Sequence, residues 1–330
     1  MTQYIIRRLL WMIPTLIGIT LVTFVIVQLA PGDPVRLSMG IGGDLMAEGH
    51  SREILEEQRR LLGLDQPLWM RYPLWLGRLA RLDFGRSFTD WRPVSEIIYE
   101  RLGITLQINL ISILIAYIIA IPIGIDASVG AGSIRERAVT VLLFIMYSLP
   151  SFWTAYILIY FLAGGHYFNI FPVGNISSPG AAEFGFLQWF LDRLWHLVLP
   201  VACLTYASFA GISRYMRSGM IEILRQDYIR TARAKGLSER AVIFKHALRN
   251  SVIPIVTIFA GILPTLIGGS VIIETIFNIP GMGRLGFNAV LARNYPVIMA
   301  VATVAAVLTL LGILLSDILY AVVDPRIKYE

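Results

Sequence analysis

Charge is what this sequence has least of. Only 15% of its 330 residues are Asp, Glu, Lys or Arg, against 56% hydrophobic, and the mean hydropathy is +0.68. A soluble domain carries about 25% charged residues. The two or three soluble domains that the length would allow are therefore excluded, and most of the chain has lipid as its solvent. Cysteine is nearly absent. The single Cys203 leaves no intrachain disulfide framework and no cysteine-rich zinc site; its apolar setting marks a small packing residue. The histidines His50, His166, His196 and His246 are scattered without ligand spacing. Lysine occurs only at Lys235, Lys245 and Lys328, none of them after a glycine. A P-loop needs Gly-Lys followed by Ser or Thr, so that backbone amides and an ammonium meet the phosphates. The chain is not expected to hydrolyse ATP. The net charge of +6 would suit nucleic acid, but the charges sit between apolar runs, where membrane topology explains them better.

Long apolar runs are what is there. A span needs about 20 apolar residues to cross roughly 30 Å of hydrocarbon. Six stretches qualify, near 9–30, 103–125, 138–163, 194–212, 252–273 and 297–323. The fold expected is an all-α integral membrane protein with about six transmembrane helices. The first run is too long for a signal peptide and is followed by a poor cleavage site, so it reads as an uncleaved anchor.

Lys and Arg set the orientation. With the N-terminus inside, the inner segments 1–8, 126–137, 213–251 and 324–330 hold 2, 2, 9 and 2 of them. That density is more than twice the density outside, so both termini are expected in the cytoplasm. Three regions follow: an anchor and first span (1–30), an extracytoplasmic helical segment (31–102), and a five-span core (103–330) with a cytoplasmic loop at 213–251. In the outer segment Ile54, Leu55, Gln58, Leu61 and Leu62 share a helical face that stops at Gly63, and Val94, Ile97, Ile98 and Leu102 repeat the pattern. Trp69, Trp75 and Trp91 suit a membrane interface. Phe184, Phe186, Trp189 and Phe190 suggest a separate interfacial helix. Gly281, Gly283 and Gly286 form a Gly-x-Gly-x-x-Gly pattern with no βαβ unit around it, which reads as a turn.

The loop 213–251 is the most informative stretch. Ile221, Leu224, Tyr228 and Thr231 mark one helical face, Gly236 a stop, and Ser238 with Glu239 a second helix start. The expected product is a helix–Gly turn–helix hairpin at the inner surface. Either it docks a partner or it anchors on anionic lipid.

Thr231-Ala232 with Gly236, followed by Lys245-His246-Ala247-Leu248-Arg249-Asn250, resembles the coupling loop of bacterial ABC importer permeases, in the wording of their dipeptide/oligopeptide family. So do Ala30-Pro31-Gly32-Asp33-Pro34, Leu62-Gly63-Leu64-Asp65-Gln66-Pro67, Ser148-Leu149-Pro150-Ser151-Phe152-Trp153, Glu274-Thr275-Ile276-Phe277 and Asp324-Pro325-Arg326-Ile327. The resemblance covers nearly the whole chain. It implies a pore subunit in a bacterial inner membrane, paired with a related second permease. Two cytoplasmic ATPases would hold the ATP and Mg, an extracytoplasmic binding protein would deliver solute, and this chain would carry no cofactor. The family's coupling motif places contact at Asp227, Tyr228, Arg230, Thr231, Ala232, Arg233, Ala234, Lys235, Gly236 and Leu237. Arg230 stands where the general motif has Glu, so position carries over but no glutamate salt bridge does. Ala232 and Ala234 are expected to let the ATPase approach closely.

Two polar features remain inside the spans. Asp317 is the one clear intramembrane charge, either an ion site or a structural partner. Pro254, Gly261, Pro264, Gly268 and Gly269 break the fifth run, for close packing or for bending during gating. The rival class, a secondary transporter or channel working alone, predicts inverted repeats and more midplane charge, and neither is evident.

Overall fold

The computed structural model describes residues 2–29, 65–165, 167–252, 255, 266 and 268–323. It is helical, with no extended strand among the described residues. The helices are α1 (Thr2–Leu29), α2 (Leu68–Leu79), α3 (Val94–Val129), α4 (Ile134–Ser148), α5 (Ser151–Leu162), α6 (Phe186–Leu224), α7 (Asp227–Ala234), α8 (Glu239–Ala241), α9 (Leu248–Ser251), α10 (Val271–Ile276), α11 (Met282–Leu291) and α12 (Tyr295–Val323). A π-helical stretch, Val242–Ala247, joins α8 to α9.

By length and apolar content α1, α3, α6 and α12 can each cross a membrane, and the pair α4–α5 makes a fifth if it counts as one span. The expected fifth run, 252–273, lies mostly outside the described residues, as do the face Ile54–Leu62 with Gly63 and the positions Pro254, Gly261 and Pro264. The run 138–163 is not one straight helix as expected, because the chain bends by 99° between α4 and α5. Pro150 explains the break. It lacks an N–H and forces the preceding Leu149 out of helical geometry, here to ψ 127°. The Leu149 carbonyl instead accepts the Tyr206 hydroxyl of α6 at 2.6 Å.

Other expectations shift in the same direction. Val94, Ile97 and Ile98 open α3 itself and are buried. Phe186, Trp189 and Phe190 are the first turns of α6, not a separate interfacial helix. Hydropathy sees only the apolar middle of a helix whose ends continue past the hydrocarbon. The glycine pattern is not a turn either, since Gly281 caps α11 and Gly283 and Gly286 lie within it.

The chain groups into two compact units, Met1–Thr105 with Pro280–Leu311, and Leu106–Ile279 with Gly312–Glu330. The first has an apolar core of Val94, Ile98, Met282, Ala289, Val297 and Ala300. In the second, α3 and α6 pack closely where Gly124 meets Met216: a Cβ on Gly124 would stand 2.6 Å from the Met216 Cβ and from the Ser213 carbonyl oxygen. Cys203 is buried in α6.

Candidate functional site

The hairpin begins where α6 stops. α6 ends at Leu224, Gln226 takes an extended conformation, and α7 starts at Asp227, whose carboxylate suits the positive end of the helix. This break shifts the helical phase. The face expected to run from Ile221 and Leu224 through Tyr228 and Thr231 is therefore not continuous. The buried residues of α7 are Ile229 and Ala232, while Tyr228 and Thr231 are exposed.

α7 ends in a Schellman turn. The Gly236 N–H donates to the Arg233 carbonyl at 2.9 Å and the Leu237 N–H to the Ala232 carbonyl at 3.4 Å. Gly236 has φ +78°, a conformation that costs a side-chain-bearing residue about 1–2 kcal/mol. Ser238 then caps α8, its hydroxyl oxygen accepting the Ala241 N–H at 3.4 Å. Arg233 reaches across the turn to Glu239 with two hydrogen bonds, at 2.8 and 3.3 Å. That hydrogen bonding raises the pKa of the guanidinium. The Tyr228 hydroxyl accepts from the Asn250 side-chain amide at 2.8 Å, so both ends of the hairpin are tied.

A small apolar core holds it down. Ile229 and Ala232 pack with Met216 and Met220 of α6, Ile125 of α3, and Val242, Ala247 and Ile255. Burying an Ile or Met side chain contributes roughly 1.5–3 kcal/mol, whereas an exposed pair such as Arg233–Glu239 is worth about 0–1 kcal/mol. The core therefore dominates. The π-helical turn places Val242 and Ala247 in this core; such turns are frequent at functional sites.

This geometry corrects one expectation. Ala232 was to leave room for a partner, but its small side chain is 7% exposed and faces its own chain. The outward residues are Asp227, Tyr228, Arg230, Thr231, Arg233, Ala234, Lys235, Gly236 and Leu237. Tyr228 and Leu237 are the large apolar members, 44% and 42% exposed. The outward face thus combines cations with two apolar side chains. Sequence reasoning missed the inner side of the contact, Ile229, Met216 and Met220. Their helical spacing was visible, but the break at Gln226 was not.

The remaining candidates lie apart from the hairpin in the sequence. Gly269 has φ +59° directly before Ser270, the cap of α10, so its place is a turn. Gly268 is an exposed bend. Asp317 is half-buried and engaged with other groups.

Residues 110–329 match the family described as "Binding-protein-dependent transport system inner membrane component". The chain belongs to that family. Residues 1–109 match its N-terminal companion, "Binding-prot-dependent transport system membrane comp, N-term". The chain is 43% identical over its full length, and that of the relative, to the oligopeptide transport system permease protein AppB of Bacillus subtilis. It is 38% identical, again covering 100% of both, to the dipeptide transport system permease protein DppB of Escherichia coli K12. It is 33% identical to the peptidoglycan transport system permease protein YejB of Agrobacterium fabrum, over 100% of this chain and 99% of the relative. In fold it resembles a chain of the MetNI methionine ABC transporter in an inward-facing crystal form, with TM-score 0.53, 19% identity, 70% of this chain and 97% of that one. The permease is thus a multi-pass inner-membrane component of a binding-protein-dependent transport complex, with the fold of an ABC importer permease, and not a catalytic enzyme.

Proposed function

We propose that this permease forms half of the pore of an ATP-driven importer for peptides or related small solutes, and that the hairpin at 227–237 receives the work. The names of three full-length relatives, for oligopeptide, dipeptide and peptidoglycan transport, support the solute class. The carrying observation is the hairpin itself. It is a short helix fixed by a positive-φ glycine and seated on the ends of α3 and α6, with a cationic and apolar face turned outward. A pore subunit without a P-loop must take up work through a surface contact, and this one is rigidly joined to the spans. The partners are a related second permease, two cytoplasmic ATPases that hold the ATP and Mg, and an extracytoplasmic binding protein. The chain itself carries no cofactor, and both termini are cytoplasmic. Asp317 serves as a structural polar contact.

The test is crosslinking in the assembled complex, with Cys203 replaced. Leu237→Cys and Ala234→Cys are expected to crosslink to the ATPase subunit, and the lone chain to show no ATP hydrolysis. An impermeant thiol reagent applied from outside is expected to label Leu82→Cys but not Ser238→Cys. If neither hairpin cysteine reaches the ATPase while assembly is normal, the hairpin is a lipid anchor instead.

A further inference from the structure

One ion pair lies next to the core that seats the hairpin, and the hairpin's own contacts do not account for it. Glu136 stands in the first turn of α4. The Ser133 side chain accepts its backbone N–H at 3.1 Å, and its Oε1 accepts the Thr140 hydroxyl at 3.2 Å. The same oxygen is 3.1 Å from Nε of Arg217 on α6, with the Glu136 side chain 10% exposed. A carboxylate this well shielded is held by its cation, its cap position and the helix dipole together.

Arg217 is the chain neighbour of Met216, which is fully buried in the hairpin core. This end of α6 and the hairpin form one packed block. Gly219 backs onto the Ser251 carbonyl, which a Cβ there would meet at 3.3 Å. The Ser251 hydroxyl donates to Sδ of Met220 at 2.8 Å. Through the packing of Ile229 and Ala232 on Met216, Met220, Val242 and Ala247, a displacement of α7 bears on Arg217.

α4 is held differently. It has no buried residue along its length. A cavity of about 280 Å³ lies beside Glu136 and Arg217, among Ile123, Val139, Leu143, Phe144 and Ala210. α4 runs close along α6, and at this level the Glu136–Arg217 pair bridges the two helices at the edge of that cavity. The pair is close without hydrogen-bond alignment at the Arg217 Nε, which suits a joint that transmits force while changing angle. From this joint α4 runs to the 99° bend at Leu149 and Pro150.

We propose that Glu136 and Arg217 are positioning residues for gating, a strut that passes the hairpin's motion to α4 and the bend beyond it. This inference rests on the coupling role assigned to the hairpin. A nearby pair gives an internal control: Arg135–Asp126, 3.2 Å apart, is 77% and 50% exposed and carries no such role.

The experiment uses the complete transporter in proteoliposomes and reads the ratio of hydrolysis with solute-loaded binding protein to basal hydrolysis. Glu136→Gln and Arg217→Met are expected to lower the ratio roughly fivefold or more, with basal hydrolysis and ATPase association unchanged. Arg217→Lys retains most of the ratio. The double variant Glu136→Gln/Arg217→Met is no worse than the worse single one, as for two members of one contact. Asp126→Asn leaves the ratio unchanged. A wild-type ratio in both single variants, or losses that multiply in the double variant, overturns the strut. Spin labels at exposed Ile134 and Tyr215 give a second readout with the ion pair intact. Their distance is expected to hold through the ATP cycle, and independent movement of α4 and α6 overturns the proposal. Failure of the hairpin to engage the ATPase would show in Leu237→Cys crosslinking. Normal crosslinking with an unaltered ratio in the Glu136 and Arg217 variants sinks the strut alone.

Discussion

The hairpin at 227–251 and the loop at 80–93 both lie next to long helices, yet they are held in different ways. The hairpin lies on apolar side chains, Ile229, Val242 and Ala247 against Met216 and Met220. The loop packs Phe88 on Val27 and Tyr295 and is fixed as well by one buried amide. Asn294 accepts the Phe88 N–H at 3.1 Å and donates to the Ser87 and Thr89 hydroxyls at 2.8 and 3.2 Å. Directional hydrogen bonds fix a loop in one place. Non-directional packing lets a small element move together with the helices beneath it without breaking a bond. The element assigned to transmit motion is the one whose seat on the helices is mainly apolar.

The largest effect expected is at Ala232. Ala232→Glu drives a carboxylate into the apolar core, at roughly 3 kcal/mol or more. The hairpin should become protease-sensitive and lose the ATPase; a protease-resistant variant would mean that this face is not buried as described. Next is Asn294→Leu, which leaves the Phe88 N–H without its acceptor and removes the amide's bonds to the Ser87 and Thr89 hydroxyls, for about 1–3 kcal/mol. The melting temperature should fall while ATPase association stays normal. A loss of association would erase the contrast between the two segments. Gly236→Val follows, at about 1–2 kcal/mol from the positive φ. Substrate-stimulated hydrolysis should drop, and Gly236→Asn should be milder because Asn tolerates that region. Leu237→Ser is smallest in stability, below about 0.5 kcal/mol. It should nonetheless weaken ATPase binding in a pull-down, separating the outward face from the inward one. Unchanged binding would place the contact elsewhere.

Much of the hairpin was legible beforehand. Gly236, Ser238 and Glu239 announce a turn and a new helix through φ preference, capping and dipole, all of which are local. The direction in which Ala232 points was not legible, because it depends on the phase lost at Gln226 and on which neighbours arrive from α3 and α6. Glu136 left a local trace, since Ser133 three residues earlier gives a capping pattern. Its cation lies 81 positions away on another helix, and no pattern in the sequence pairs them.

Composition and hydrophobic run length alone determined that the chain is a helical membrane protein: hydrocarbon admits only helices and closed barrels, and continuous apolar runs of about 20 residues are the length of a helical span. The spread of Lys and Arg gave the expected orientation, and local residue preferences gave the hairpin. Tertiary structure alone decided which hairpin face is hidden, that the Tyr206 hydroxyl takes up the Leu149 carbonyl at the Pro150 break, and that Glu136 meets Arg217. Each of these is a contact between residues far apart in the chain. Such contacts depend on how the helices pack in three dimensions, which local spacing does not encode.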